Sequence, residues 1–184
     1  QMLRLCAALF LFHKVLLYIA DVPGDGTVGK AQGIMLALQR VFLMVMALHW
    51  CGRAPVPTAR YAAVALLTGL TFSLLNLVPE FQSSLNNAGT VSTIVYVCVF
   101  VVVGIALLYD LYHTYAPRPL IIVAFYVIWG LITLGESPSL HVHHYILGFL
   151  GACLFKRLPL MHAFCLGTFI QGLAVYSVPL YPFL

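Results

Sequence analysis

Long apolar blocks alternate with short polar breaks along this chain, and the breaks coincide with proline. All ten prolines fall between the apolar blocks or at their ends. Because proline removes a backbone hydrogen bond and clashes with the preceding turn, it collects where helices start and stop. The pattern therefore predicts seven helices separated by short connections.

The apolar blocks are long enough to cross a bilayer as helices. At about 1.5 Å per residue, a hydrocarbon core about 30 Å thick needs roughly 20 apolar residues. Strands of a membrane barrel would be shorter and would alternate in polarity. We therefore expect an all-α fold, a polytopic transmembrane helical bundle forming one domain. The predicted spans are 2–22, 28–51, 58–78, 90–116, 119–134, 138–155 and 159–178.

Composition agrees with a chain surrounded by lipid. Hydrophobic residues make up 62% of the chain and charged residues 8%, whereas a soluble domain carries about 25% charged residues. We therefore expect an integral, multi-pass membrane protein whose first partner is the bilayer. A formal charge of +4 leaves no patch for nucleic acid. The five cysteines form no C-x-x-C pair, so we expect small buried hydrophobes and no disulfide framework.

Loop charges predict the orientation of the bundle. Basic residues concentrate at alternate breaks, and the positive-inside rule places that end in the cytoplasm or its equivalent, together with the N-terminus. An odd number of spans then places the C-terminus outside. The inner set is Arg4, Arg53, Arg60, Asp110, Arg118, Lys156 and Arg157. The outer set is Asp21, Asp25, Lys30, Glu80 and Glu136.

Two of the polar residues inside predicted spans are candidates for a functional role. Arg40 falls midway along the second span, and a charge at that depth usually faces the bundle or a wet cavity. It is either a structural hydrogen-bonding residue or a gate or counter-ion on a transport path. His13 lies within the first span, where it could reach the bundle interior and is a second candidate to bind haem.

Small residues predict one close helix contact. Gly148, Gly151 and Ala152 share a face of the sixth span. Such faces let two helix backbones approach closely in a membrane. We expect this face to pack against the fifth or the seventh helix.

A histidine cluster is the main candidate for chemistry. His141, His143 and His144 fall within four positions, shortly after Glu136. In a helix that starts at Pro138, with Ser137 as its cap, His141 and His144 share a face and His143 points elsewhere. If the start of the helix is irregular, His141 and His143 could pair instead.

Neutral imidazoles near the positive end of a helix dipole are good ligands for zinc, copper or haem iron. A structural zinc site needs four ligands and a catalytic site needs three. We therefore expect His141, His143, His144 and Glu136 to form a metal site, with Asp21 or Asp25 as further possible ligands. The alternative is that these histidines only pack or bind lipid headgroups.

Two stretches near the end of the chain carry a resemblance to a family. His141-Val142-His143-His144-Tyr145 and the segment 167–174, which contains Gln171, resemble the C-terminal membrane region of fungal LCCL-domain membrane proteins. The resemblance covers about the last 40 residues. This chain lacks the LCCL domain, and it has Val175-Tyr176 where the family pattern has Arg-Trp. The resemblance implies that the histidines and Gln171 act as one unit.

Three functions follow as alternatives. The first is a membrane module whose outer-leaflet histidines hold a transition metal or haem. The second is a structural membrane subunit or anchor that assembles with other membrane or extracellular subunits. The third is a zinc-dependent hydrolase of lipid amides, because the chain is similar to the seven-span ceramidase and adiponectin-receptor type. The spacing His141-x-His143-His144 departs from the H-x-x-x-H of that type.

Overall fold

A computed structural model describes residues 1–19, 31–53, 55–75, 90–114, 117–136 and 144–175. These residues are all-helical and contain no strand, which confirms the all-α prediction. The helices, numbered here in chain order, are α1 Met2–Ile19, α2 Ala31–Trp50, α3 Ala59–Leu75, α4 Thr90–His113, α5 Pro117–Glu136, α6 His144–Leu154 and α7 Pro159–Val175. Each lies within or close to a predicted span.

The proline signals located most helix ends, with one correction. Helix α5 was predicted to begin at Pro119, but it begins at Pro117. The amide groups of the first helical turn have no intrahelical partner, so both prolines are tolerated there without loss of a hydrogen bond. The predicted helix start at Pro138 lies outside the described residues.

Helix α2 ends in a Schellman motif. Gly52 adopts a left-handed φ of 65°, which glycine tolerates because it lacks a Cβ atom. The amide of Gly52 donates to the His49 carbonyl at 2.9 Å, and the amide of Arg53 donates to the Leu48 carbonyl at 2.7 Å. These bonds satisfy the last carbonyls of the helix and turn the chain back over it. Arg53 is thereby buried beneath the end of α2.

Helix α7 is the central element of the bundle. Every residue from Cys165 to Ala174 is buried, on all faces of the helix. It packs most extensively on α6 and α3, and next on α1. The core of the protein therefore surrounds α7, while α4 and α5 lie further out.

Helix α4 has the opposite environment. Its stretch Thr93–His113 is the one segment among the described residues that is both long and apolar enough to cross a bilayer. Only 6% of its most apolar window is buried inside the protein. Val102, Ile105 and Leu108 are 60%, 65% and 70% exposed. Shorter apolar stretches occupy Leu38–Trp50, Ala59–Leu75 and Pro159–Ala174.

Glycines set the closest helix contacts. A Cβ atom placed on Gly148 would come within 2.7 Å of the Cys165 carbonyl oxygen, and one on Gly151 would meet the Cys165 sulfur. The small-residue face of α6 therefore packs on α7, the seventh helix, which is one of the two partners predicted for it. A Cβ atom on Gly167 would overlap the backbone of Ala65, so α7 and α3 are equally close.

Candidate functional site

The predicted histidine site falls at the connection between α5 and α6. Glu136 is the last residue of α5 and His144 is the first residue of α6. His141 and His143 lie outside the described residues, as do the side chains of Glu136 and His144. Asp21 and Asp25 also lie outside them. Where the chain is described, no group of three or more His, Cys, Asp or Glu side chains is placed to hold a metal ion. The metal site therefore stays a prediction.

The two ends of helix α6 mark the two ends of the bundle. Helix α6 runs 11 residues from His144 to Leu154, about 16 Å at 1.5 Å per residue. Its last turn leads into residues 156–158, which bind Asp110. The histidine segment is therefore separated along α6 from the end that carries Asp110.

A cluster of buried polar side chains lies at that second end. We call Arg53, Tyr61, Asp110 and His162 the polar cluster; their exposed fractions are 4%, 2%, 0% and 2%. They come from the end of α2, the start of α3, the end of α4 and the start of α7. Four elements thus contribute one polar group each to the same end of the bundle.

Asp110 anchors the connection between α6 and α7. Its Oδ2 atom accepts hydrogen bonds from the backbone amides of Lys156, Arg157 and Leu158 at 2.9, 2.8 and 3.3 Å. These amides immediately precede α7, where unpaired donors and the helix dipole both favour a negative charge. Hydrogen bonds from backbone amides to a carboxylate are charge-assisted and stronger than neutral ones. Asp110 therefore holds α4 against the start of the central helix.

Arg53 supplies the positive charge of the polar cluster. Burial lowers the pKa of Arg53, and the nearby negative charge of Asp110 opposes that shift. A buried guanidinium is costly unless an opposite charge lies close to it. The negative charge of Asp110 therefore offsets part of the cost of removing the Arg53 guanidinium from solvent.

His162 and Tyr61 join α7 to α3. The Tyr61 hydroxyl and the His162 Nδ1 atom are 2.6 Å apart and form a buried hydrogen bond. The rings also lie against each other, with centroids 5.7 Å apart. His162 is therefore buried and paired within the bundle.

Three atoms of the polar cluster are buried without a hydrogen-bond partner among the described residues. They are Arg53 Nε, Asp110 Oδ1 and His162 Nε2. A donor, an acceptor and an imidazole nitrogen in one buried region can hold water or a small polar group. The remaining polar atoms of the cluster, in the Tyr61–His162 bond and in the bonds of Asp110 to backbone amides, hold the helices together at this end.

The interior of the bundle also holds polar residues. His13 and Gln171 are both fully buried, and Arg40 is 9% exposed, as expected for polar side chains that face a bundle. The His13 ring lies directly on α3, because a Cβ atom added to Gly69 would overlap it. Its two ring nitrogens have no hydrogen-bond partner in the described part of the chain. Haem binding by His13 stays a prediction.

A pair of thiols lies beside the polar cluster. Cys51, just after α2, and Cys153, near the end of α6, are 6% and 0% exposed, and their side chains hydrogen-bond to each other. Cys6 and Cys165 are buried as predicted, whereas Cys98 on α4 is exposed. The burial prediction is wrong for Cys98 because α4 packs on so little of the protein.

We expect mild oxidation to join Cys51 to Cys153. The two thiols are hydrogen-bond partners, which makes them the neighbouring cysteines most readily joined by an oxidant. Peptide mass spectrometry after iodine treatment of the folded protein measures the link. Cys51→Ser and Cys153→Ser should each abolish it, and Cys98→Ser should leave it unchanged. A cross-link between Cys98 and another cysteine at equal yield would contradict this arrangement of α2 and α6.

Comparison with protein-family models, curated proteins and solved structures finds no match to any of them. The resemblance to the LCCL-domain membrane proteins is therefore untested and stays a prediction.

Proposed function

We propose that the chain is a multi-pass integral membrane module, and that its histidine segment binds a transition metal or haem. The observation that carries the membrane part is the surface of α4. It presents Ile94, Val101, Ile105 and Leu108 to the surroundings at 57%, 53%, 65% and 70% exposure. Contiguous apolar surface of this kind is rare on soluble monomers.

The distribution of polarity supports the same proposal. Transferring one Val, Leu or Ile side chain out of water is worth about 1.5–3 kcal/mol, so an apolar helix face left in water would be strongly unfavourable. Meanwhile His13, Gln171 and Arg40 lie inside the bundle. Lipid outside and polar groups inside is the arrangement that a bilayer favours.

Exposed aromatic residues support a position for the bilayer boundary. Trp50, Tyr109 and Tyr112 are 48%, 53% and 86% exposed at the ends of α2 and α4. Trp and Tyr are enriched at both membrane interfaces, where an apolar ring and a polar tip are each accommodated. We place this end of the seven-span bundle at the cytoplasmic face or its equivalent, and the C-terminus on the other side.

The metal part of the proposal depends on the histidine segment. Glu136 and His144 are the adjoining ends of α5 and α6, which pack on each other. His141 and His143 therefore belong to a short connection between two neighbouring helix ends. The spacing of eight residues from Glu136 to His144 along the chain is short enough for three imidazoles and one carboxylate to ligate one ion, as we propose.

Membranes that contain the protein are washed at alkaline pH, and the protein is then purified in detergent without added chelator. We expect the purified protein to contain metal or haem, which elemental analysis and visible absorption measure. The double variant His141→Ala/His144→Ala should lose the metal. The matched control is His49→Ala/His113→Ala, because these two exposed histidines lie at the other end of the bundle. The Nδ1 atom of each forms a hydrogen bond of 2.8 Å with a backbone carbonyl in its own helix.

The outcomes separate the alternatives. Release of the protein by the alkaline wash would contradict the membrane proposal, and membrane-bound but metal-free protein would contradict the metal site. Zinc together with hydrolysis of a lipid amide would favour the zinc hydrolase.

The second candidate is a structural subunit or anchor, favoured by the exposed surface of α4, which a partner helix could cover. Migration as a lone monomer in a native gel would count against it.

A further inference from the structure

The polar end of the bundle carries an excess of exposed cations. Six of the nine Lys and Arg residues of the chain belong to this end, and five of them have exposed side chains. We call the five exposed residues the basic rim: Arg4, Arg60, Arg118, Lys156 and Arg157.

Contacts place these residues at one end of the bundle. Lys156 and Arg157 bind Asp110 through their backbone amides. Arg118 donates from Nη1 to the Trp50 carbonyl at 3.2 Å, at the end of α2. Arg60 precedes Tyr61, which bonds to His162 at the start of α7.

Arg4 joins the same end through α1. Cys6 of that helix and Tyr61 of α3 are buried in the same core cluster, and the Cys6 thiol acts electrostatically on the Tyr61 hydroxyl. Helix α1 also packs on α3 and α7. Arg4 is one turn or less from Cys6, so it belongs with the start of α3.

The described carboxylate at this end of the bundle already binds other groups of the protein. Asp110 is the one carboxylate among the described side chains, and it is fully buried. It accepts hydrogen bonds from the amides of residues 156–158, and its negative charge stabilises the charged form of Arg53. The exposed guanidinium and ammonium groups of the basic rim therefore have no exposed described carboxylate to neutralise them.

We propose that the basic rim binds anionic phospholipid, with the lipid phosphates seated among its cations and the acyl chains along the exposed apolar helices. This rests on the proposed membrane location. Guanidinium and ammonium groups near a bilayer surface attract anionic headgroups. The exposed rings of Trp50, Tyr109 and Tyr112 set the depth at which the headgroups meet the cations.

The test uses the full chain reconstituted in phosphatidylcholine bilayers. Electron spin resonance of spin-labelled phosphatidylglycerol and spin-labelled phosphatidylcholine gives the relative association of the two lipids with the protein. We expect phosphatidylglycerol to be preferred, and the preference to weaken as salt rises, because ions screen the surface charges. Each neutralised cation should lower the preference about fivefold at low salt.

The variant pair isolates charge from folding. Lys156→Gln/Arg157→Gln removes two cations whose side chains are exposed, while their backbone bonds to Asp110 stay possible. Lys156→Arg/Arg157→Lys keeps the charge and should keep the preference. Equal preference in the wild type and the Gln variant would overturn the proposal while leaving the membrane location intact.

Two other outcomes also overturn the proposal. If no motionally restricted lipid of either type appears, the chain does not enter the bilayer, and the membrane location fails with it. If a short soluble polyphosphate displaces phosphatidylglycerol completely, the rim is a site for soluble polyanions and the lipid assignment is wrong.

Discussion

Replacing Gly167 with alanine is expected to destabilise the bundle by about 3 kcal/mol, because no side chain can move to make room. A Cβ atom at this position would overlap the Ala65 carbonyl oxygen and would come within 3.0 Å of the Thr68 Cβ atom. The obstacle is the backbone of α3, so α7 and α3 would have to separate. Helix α7 is central, and a shift there would disturb α1 and α6 as well.

A matched control is available on α4. A Cβ atom at Gly104 would meet nothing within 4 Å, so Gly104→Ala should leave stability unchanged or raise it by up to about 1 kcal/mol through helix propensity. Unfolding in mixed sodium dodecyl sulfate and dodecyl maltoside measures both variants. Equal midpoints for the two alanine variants would mean that α3 and α7 are not in close backbone contact.

Proline and glycine positions explain how much of the fold could be predicted. Prolines located the helix ends because their effect on the backbone is local. The small residues Gly148 and Gly151 predicted a close contact because backbone approach in a bundle requires missing side chains. Both signals depend on a few neighbouring residues, so one sequence is enough to find them.

The order of helices in the bundle could not be predicted in the same way. Helices α4 and α7 both have strongly apolar sequences, yet only 6% of the most apolar window of α4 is buried, whereas α7 is buried on every face from Cys165 to Ala174. Lipid and protein core are equally apolar, so hydrophobic periodicity does not separate them. The available signal was residue size: α7 carries Gly167 at its closest contact, whereas α4 is rich in valine.

The polar cluster could be predicted only in outline. Loop charges assigned Arg53, Asp110 and Lys156 to the same end, and the contacts of Asp110 agree with that assignment. Nothing local to Asp110 indicates that it binds amides 46 to 48 residues further on. Likewise, Cys51 and Cys153 lack the close spacing of a C-x-x-C motif, so their contact depends on tertiary structure. The orientation relative to a membrane stays a prediction.

Replacing Asp110 with alanine is expected to be the other strongly destabilising change, by about 3 kcal/mol or more, because one hydrogen bond to a charged group is worth about 1.5–3 kcal/mol and three backbone amides bond to this carboxylate. The variant would leave the amides of Lys156, Arg157 and Leu158 without their acceptor. It would also leave the buried Arg53 guanidinium without its nearby negative charge. Asp110→Asn should cost less than Asp110→Ala, because the amide oxygen still accepts a hydrogen bond while the charge is lost.

The control for Asp110 lies one helical turn further along the chain. The Thr114 hydroxyl is buried and has no hydrogen-bond partner among the described residues. Thr114→Val removes that polar atom while keeping the branched shape, so it should be neutral or slightly stabilising. Denaturant titration in detergent ranks the three variants. A loss of stability in Thr114→Val as large as that in Asp110→Ala would mean that packing, and not the carboxylate, holds α4 against the start of α7. If Asp110→Ala is destabilising, a second substitution, Arg53→Met, should recover part of the loss, because it removes the buried charge that Asp110 no longer compensates.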